Sequence, residues 1–267
     1  MGFVNTTLDR LGHWIARRAS GVSTTYEPYI ASRPEFVARV IQPGDVLLIE
    51  GGRSKIASAI KYLTQSTWSH AALYVGDALG QTDAEGRELS LVEAELGFGI
   101  IASPLEKYGS FNSRICRPVG LTPEDKDRLI AFAIGQIGGQ YDLRNVLDLV
   151  RFLLPNPPIP QRFRRRLLAL GSGEPTRAIC STLIARAFEE VRYPILPRIE
   201  QHAEIDAMGR ARRREVLHIR HSSLYTPRDF DVSPFFRIIK PTIELGFDYK
   251  NLEWSDQNAG KAAPPPR

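Results

Sequence analysis

The sequence predicts an α+β fold, and three observations lead to that class. Short apolar runs, each followed by a turn signal, fill the middle of the chain and are typical of strands. Amphipathic helical patterns lie on both sides of these runs. The 267 residues are 43% apolar and 24% charged, a globular composition that is large enough to bury a core without disulfide bonds. We therefore expect an antiparallel sheet with helices packed on it.

Five strands are predicted between residues 46 and 119. The first, Val46–Ile49, is an apolar run that follows the turn signal Pro43-Gly44-Asp45. The other four have short apolar runs of the same kind and cover residues 69–77, 91–96, 98–102 and 114–119.

Three helices are predicted within the main domain. Residues 55–63 have apolar side chains at helical spacing. A second helix begins after Thr122, which can cap it, with Pro123 in the first turn, and it ends at Gly138-Gly139. A third helix covers about residues 179–191 and ends before Pro194.

The chain divides into an arm, a domain and a tail. Residues 1–35 form an N-terminal arm in which Val4, Leu8, Leu11 and Ile15 predict an amphipathic helix. This helix either packs on the main domain or lies on a membrane surface. Residues 36–253 form the main domain. Residues 254–267 end in a proline-rich stretch that we expect to be disordered.

Composition and motifs exclude several classes of protein. A protein that binds nucleic acid usually has a larger positive charge than +5 and a recognisable docking motif, and this sequence has neither. Two cysteines are too few for a disulfide scaffold or a four-cysteine zinc site. His218 and His221 could share a helix face, but no further ligand accompanies them. Gly97-Phe98-Gly99 indicates a strand bend, and no nucleotide loop is present. We expect neither a metal nor a cofactor.

The location of the protein follows from what the sequence lacks. It contains no run of ~20 apolar residues and no secretory signal. We therefore expect a cytoplasmic protein. The arginine clusters at 162–166 and 210–214, like the arm, would suit peripheral contact with an anionic membrane, although solvated loop arginines remain an alternative.

Two residues stand out as candidates for chemistry. Cys180 lies at the predicted start of a helix, where partial positive charge lowers the pKa of a thiol. His70 lies at the start of a predicted strand, behind a polar loop. A cysteine and a histidine placed in this way are the groups that thiol nucleophile chemistry requires. On these grounds alone, a buried structural cysteine and a structural histidine remain alternatives.

The surrounding segments add a resemblance to a known family. In order along the chain they are Pro43-Gly44-Asp45, Ser69-His70, Val92-Glu93-Ala94, Gly139-Gln140-Tyr141-Asp142, Ile179-Cys180-Ser181 and Tyr225-Thr226-Pro227. This series resembles the circularly permuted papain-like cysteine hydrolases of the YiiX/YaeF type, which are relatives of the NlpC-type endopeptidases. It is similar, more distantly, to the lecithin:retinol acyltransferase group. The resemblance covers residues 40–235.

The resemblance implies a role for each candidate residue. It implies Cys180 as the nucleophile, His70 as the general base and Glu93 as the group that orients the imidazole. Glu95 lies on the same face of its strand and is the alternative for the third role. Tyr141 and Asp142 are expected to be structural. Cys116 is expected to be a buried strand residue that does not pair with Cys180.

The implied activity is hydrolysis of an amide, peptide or thioester-like acyl substrate through an acyl-enzyme on Cys180. Two alternatives stay open. One is a lipid acyltransferase or lipid amidase, in which the acyl group passes to an amine or alcohol. The other is a non-catalytic binding module on the same fold. The partner is therefore a peptide, amide or lipid-acyl substrate, and no nucleic acid is expected.

Overall fold

A computed structural model describes residues 33–51, 57, 61, 65–95, 98–139, 179–205 and 211–252. The predictions for the N-terminal arm before residue 33, for Tyr141 and Asp142, for the arginines at 162–166 and for the tail lie outside these residues. Of the predicted helix at 55–63, the description covers Ala57 and Lys61, and both are helical.

Six strands form one antiparallel sheet, which agrees with the predicted α+β class. Their order across the sheet is β4-β3-β2-β1-β5-β8. The strands are β1 (Val46–Ile49), β2 (His70–Tyr74), β3 (Leu89–Glu95), β4 (Gly99–Pro104), β5 (Ser113–Pro118) and β8 (Phe236–Ile239). The first five were expected and differ from the predictions by a few residues at their ends. β8 was not predicted.

Helices pack on both faces of this sheet. They are α1 (Pro34–Val40), α2 (Pro123–Gly135), α3 (Ile179–Glu190), α4 (Pro227–Val232) and α5 (Pro241–Glu244). α1 continues across residue 35, where the arm was expected to end. Among the described residues, no helix has the length and apolar composition needed to cross a bilayer.

Alternating strand residues divide the core in two. Leu48, Ala71 and Leu73 point to the face that α2 and α3 cover, and there they pack in one cluster with residues such as Leu129 and Phe188. Leu47, Ile49 and Ala72 point to the opposite face and pack with Val37 of α1 in a second cluster. Because successive strand side chains face opposite sides, β1 contributes apolar residues to both clusters.

Helix α2 begins as predicted and ends earlier. Thr122 Oγ1 accepts a hydrogen bond from the backbone of Asp125, 3.1 Å away, which is the expected N-terminal cap. The helix ends at Gly135, not at Gly138-Gly139. The reason is pairing with the sheet: Gly138 donates its N–H to the Ile100 carbonyl, and the Ile100 N–H donates to the Gly139 carbonyl.

A two-stranded sheet over residues 198–205 and 211–218 was not predicted. Its antiparallel strands are β6 (Arg198–Ile205) and β7 (Ala211–His218). The expectation that His218 and His221 could share a helix face is wrong. His218 ends β7 and lies 3.2 Å from Glu200, whereas His221 caps the 3-10 turn Ser222–Leu224.

Candidate active site

The Cys180 thiol lies at the start of α3 and is nearly buried, with 4% of the residue exposed. The first N–H groups of a helix have no partner within the helix, so the backbone there presents free donors and partial positive charge. The thiol lies close enough to the side chain of His70 and to the backbone of Ala71 for both to lower its pKa. The Ser181 hydroxyl lies 4.0 Å from the sulfur. The thiol therefore faces the beginning of β2.

His70 is the first residue of β2, and its side chain is 21% exposed. Its Nε2 lies 2.5 Å from Oε2 of Glu93 on the neighbouring strand β3. Because Glu93 holds Nε2, the other ring nitrogen, Nδ1, is the one left for Cys180. The imidazole is thus placed between the thiol and a carboxylate.

Three donors surround the carboxylate of Glu93, whose side chain is fully buried. Besides His70, Lys107 Nζ lies 2.7 Å from Oε1, and the Tyr108 hydroxyl donates to Oε2. A buried carboxylate is stable as an anion only when it is paired and hydrogen-bonded in this manner. The surroundings of Glu93 therefore keep it ionised.

Glu95, the alternative third residue, has a different position. Its side chain is 39% exposed and binds Lys107 Nζ at 2.8 Å. Among the described contacts, no hydrogen bond joins it to His70. The structure brings Cys180, His70 and Glu93 together. Glu95 reaches this group only through Lys107, which contacts both glutamates.

Lys107 and Tyr108 are site residues that the sequence analysis did not identify. They end the 3-10 turn Leu105–Tyr108, which directly follows β4. The Tyr108 ring lies 5.9 Å from the His70 ring, and Lys107 Nζ lies 5.3 Å from the centre of the Tyr108 ring. No spacing pattern in the chain connects this turn with His70, because the contact depends on the pairing of β3 with β4.

The electrostatics of the site favour a thiolate beside an imidazolium. Burial by itself would lower the pKa of His70, but the charge of Cys180 and hydrogen bonds to Cys180 and Glu93 raise it to about 10. Burial would raise the pKa of Cys180, but the charge and hydrogen bond of His70, together with the Ala71 backbone, hold it below its usual value.

The pKa values of Glu93 and Tyr108 shift in opposite directions. Burial opposes ionisation of Glu93, yet its hydrogen bond to His70 and the charges of His70 and Lys107 lower its pKa. Burial and the Glu93 charge raise the pKa of Tyr108 far above its usual value. The Tyr108 hydroxyl is therefore neutral at all ordinary pH values and remains a donor.

Contacts among Trp68, Arg114 and Asp231 hold the loop before His70 in place. Trp68 donates its Nε1–H to Oδ2 of Asp231 at 2.9 Å, and Arg114 donates to Oδ1 at 2.6 Å. The Arg114 guanidinium also lies over the Trp68 ring, 4.9 Å from its centre. Asp231 belongs to α4, so the late segment around Thr226 and Pro227 helps to fix the strand that carries His70.

Cys116 has the buried strand position that was expected. It lies in β5, is fully buried and has a pKa that burial raises strongly. Both cysteines are free, so the prediction that they do not pair is confirmed. The two thiols thus differ in environment: one faces a histidine, and the other is enclosed by apolar groups.

The chain was compared with family models and with curated proteins. No family model and no curated protein matches the chain. Within the described ranges, no group of three or more histidine, cysteine, aspartate or glutamate side chains has a geometry that could hold a metal ion.

Proposed function

We propose that this protein is a cysteine hydrolase that cleaves an amide or ester bond through an acyl-enzyme on Cys180. The observation that carries the proposal is the position of His70, which is hydrogen-bonded to Glu93 on one side and lies close enough to the Cys180 thiol on the other for each group to shift the pKa of its partner. A nucleophile, a base in contact with it and a third group that orients the base form the arrangement used in covalent acyl transfer.

The reaction has two steps. In the first, the Cys180 thiolate attacks the substrate carbonyl, a C–S bond forms, and the C–N or C–O bond breaks while His70 gives its proton to the leaving group. In the second, His70 removes a proton from water, which attacks the thioester and releases the carboxylic acid and the thiol. The backbone N–H of Cys180, at the beginning of α3, is a donor available to the oxyanion.

We assign the third role to Glu93 and the support of Glu93 to Lys107 and Tyr108. The carboxylate contacts His70 directly, so it can orient the ring and stabilise the imidazolium. Lys107 and Tyr108 contact the carboxylate and not the thiol, which makes them positioning residues. Glu95 contacts Lys107 and therefore lies one step further from the chemistry.

The same observations support membership of the circularly permuted papain-like fold of the YiiX/YaeF type. In this chain the base, on β2, precedes the nucleophile, on α3, and the carboxylate lies on a strand between them in sequence. This order is the one that the resemblance implies. An antiparallel sheet with a helix that begins at the nucleophile is compatible with that fold.

The test of the proposed function is capture of the acyl-enzyme. The protein is mixed with p-nitrophenyl acetate, quenched with acid at short times and analysed by peptide mass spectrometry. We expect acetyl on Cys180, p-nitrophenol in a burst, and then acetate as the product. The Cys180→Ala variant should show neither the adduct nor turnover.

The Cys116→Ala variant is the matched control, because Cys116 is the other buried free thiol. It should keep the burst and the turnover. Acetyl on Cys116, or unchanged turnover in Cys180→Ala, would contradict the proposal. Acetyl that leaves Cys180 only for an added amine or alcohol would show acyl transfer in place of hydrolysis.

We also propose that the enzyme acts in the cytoplasm beside an anionic membrane surface. The support comes from sequence: the arm combines an amphipathic pattern with Arg10, Arg17 and Arg18, and two arginine clusters follow later in the chain. The cytoplasmic leaflet carries anionic lipids, which attract such segments. Peptide, amide and lipid-acyl substrates all remain compatible with the site.

A further inference from the structure

A cavity of about 290 Å³ lies on the face of the sheet opposite α3. Leu47 and Val37, both buried, form part of its lining, and Tyr108 and Phe111 line it as well. Ligand pockets in proteins have volumes of roughly 300–1,000 Å³ and mainly apolar walls. The cavity therefore has the size and lining of a site for a small ligand.

Tyr108 connects this cavity with the candidate active site. Its ring lines the cavity and lies 5.7 Å from the Phe111 ring, which is also part of the lining. The same ring lies 5.9 Å from His70, and its hydroxyl binds Glu93. The Tyr108 side chain therefore belongs both to the wall of the cavity and to the candidate active site.

Two acidic side chains make the cavity negatively charged. Glu35 and Glu106 both belong to the lining, and both residues are exposed. In the part of the chain that is described, neither carboxylate has an ion-pair partner, and no lysine or arginine lines the cavity. An anionic ligand would be repelled by these two groups, whereas a cationic one would be attracted to them.

We propose that this cavity binds a small amphiphilic cation, that is, an apolar group that carries an ammonium group. The apolar part occupies the space between Leu47, Val37 and Phe111. The ammonium group lies near Glu35 and Glu106 at the exposed side. This site goes beyond the proposed hydrolase function, because its binding chemistry does not involve Cys180.

The charge requirement is tested with three probes of equal chain length. Binding of octylammonium, octanol and octanoate to the full-length protein is measured by calorimetry below the concentrations at which they aggregate. We expect octylammonium to bind most tightly and octanoate most weakly. The double variant Glu35→Gln, Glu106→Gln should weaken octylammonium binding by roughly fivefold, as expected for exposed ion pairs, and leave octanol binding unchanged.

The location of the site is tested by filling the cavity. Ala38 lines it and is exposed on α1, so Ala38→Trp should reduce the binding of both octylammonium and octanol. Ala131→Trp is the matched control, because Ala131 is an exposed alanine on α2 outside the lining. A circular dichroism melt of each variant verifies that it is folded.

Two outcomes would overturn the proposal. One is octanoate binding as tight as octylammonium binding, and the other is octylammonium binding that Ala38→Trp leaves unchanged while the protein is folded. The Cys180→Ala variant should bind octylammonium as the wild type does. Loss of the proposed hydrolase activity and loss of this site are therefore measured independently.

Discussion

Tyr108 and His70 bind the same oxygen of Glu93. The Tyr108 hydroxyl and the His70 Nε2 both contact Oε2, while Lys107 occupies Oε1. A carboxylate that accepts from donors on both oxygens cannot rotate without breaking one of these bonds. The orientation of the His70 ring therefore depends on a turn that follows β4, as well as on the neighbouring strand.

The first prediction concerns the reactivity of the two thiols. Iodoacetamide should label Cys180 below pH 8.5, the pKa region of a free thiol, because His70 lowers the pKa of Cys180. It should label Cys116 at least roughly tenfold more slowly, since burial raises the pKa of that thiol. Peptide mass spectrometry measures both rates. Equal or faster labelling of Cys116 would contradict the assigned nucleophile.

The second prediction distinguishes the two glutamates. Glu93→Gln should slow the labelling of Cys180 and the hydrolysis of p-nitrophenyl acetate by roughly 10- to 100-fold, less than loss of a general base, which costs about 10²–10⁴-fold. The reason is that the amide cannot stabilise an imidazolium. Glu95→Gln is the matched control and should retain most of both rates. The reverse result would assign the third role to Glu95.

A third prediction addresses the two positioning residues. Lys107→Met and Tyr108→Phe each leave the buried Glu93 carboxylate with one donor fewer, at a cost of about 1–3 kcal/mol in the free energy of unfolding. Both should also slow Cys180 labelling at pH 7, measured on protein that is verified to be folded. Lys107→Arg should restore part of the labelling rate. If destabilisation occurred without any change in labelling, these residues would have only a structural role.

The fourth prediction is the titration of His70. Its pKa should be about 10, and in Cys180→Ala it should fall, because the negative charge that favours the imidazolium is removed. The ring protons, assigned by their loss in His70→Gln, report this pKa by NMR. Cys116→Ala should leave the titration unchanged. A wild-type pKa near 6.5 would mean that no thiolate–imidazolium pair forms.

The fifth prediction concerns membrane contact. The full-length protein should sediment with vesicles that contain phosphatidylserine, and added salt should release it, because charge attraction is screened within ~8 Å at physiological ionic strength. Neutral phosphatidylcholine vesicles are the control. If the protein stays in the supernatant at low salt, the arm does not bind anionic membranes.

Much of the main sheet could be predicted because its strands are short apolar runs. β1 and β2 are nearly continuous apolar segments, so their positions follow from composition alone. The β6–β7 sheet was missed because its strands are rich in arginine and glutamate. Its signal was the alternation of Ile199, Ala203 and Ile205 with polar residues, which is weak beside so many charges.

The candidate site was predicted only in part. Alternation along β3 assigns Glu93 and Glu95 to one face, and that pattern alone could not choose between them. Their difference in burial arises from the turn at Leu105–Tyr108, which covers one carboxylate and leaves the other at the surface. Lys107 and Tyr108 could not be identified because a non-local contact brings them to the site.

The order of the strands has a consequence for the assembly of the protein. β1 to β4 are neighbours both in sequence and in the sheet, so the chain closes only short loops to join His70 with Glu93. Cys180 arrives on a helix much later in the chain and must close a far longer loop. During synthesis from the N-terminus His70 and Glu93 can meet first. The Cys180 thiol joins them only once α3 has been made, so the surroundings that lower its pKa exist only in the nearly complete chain.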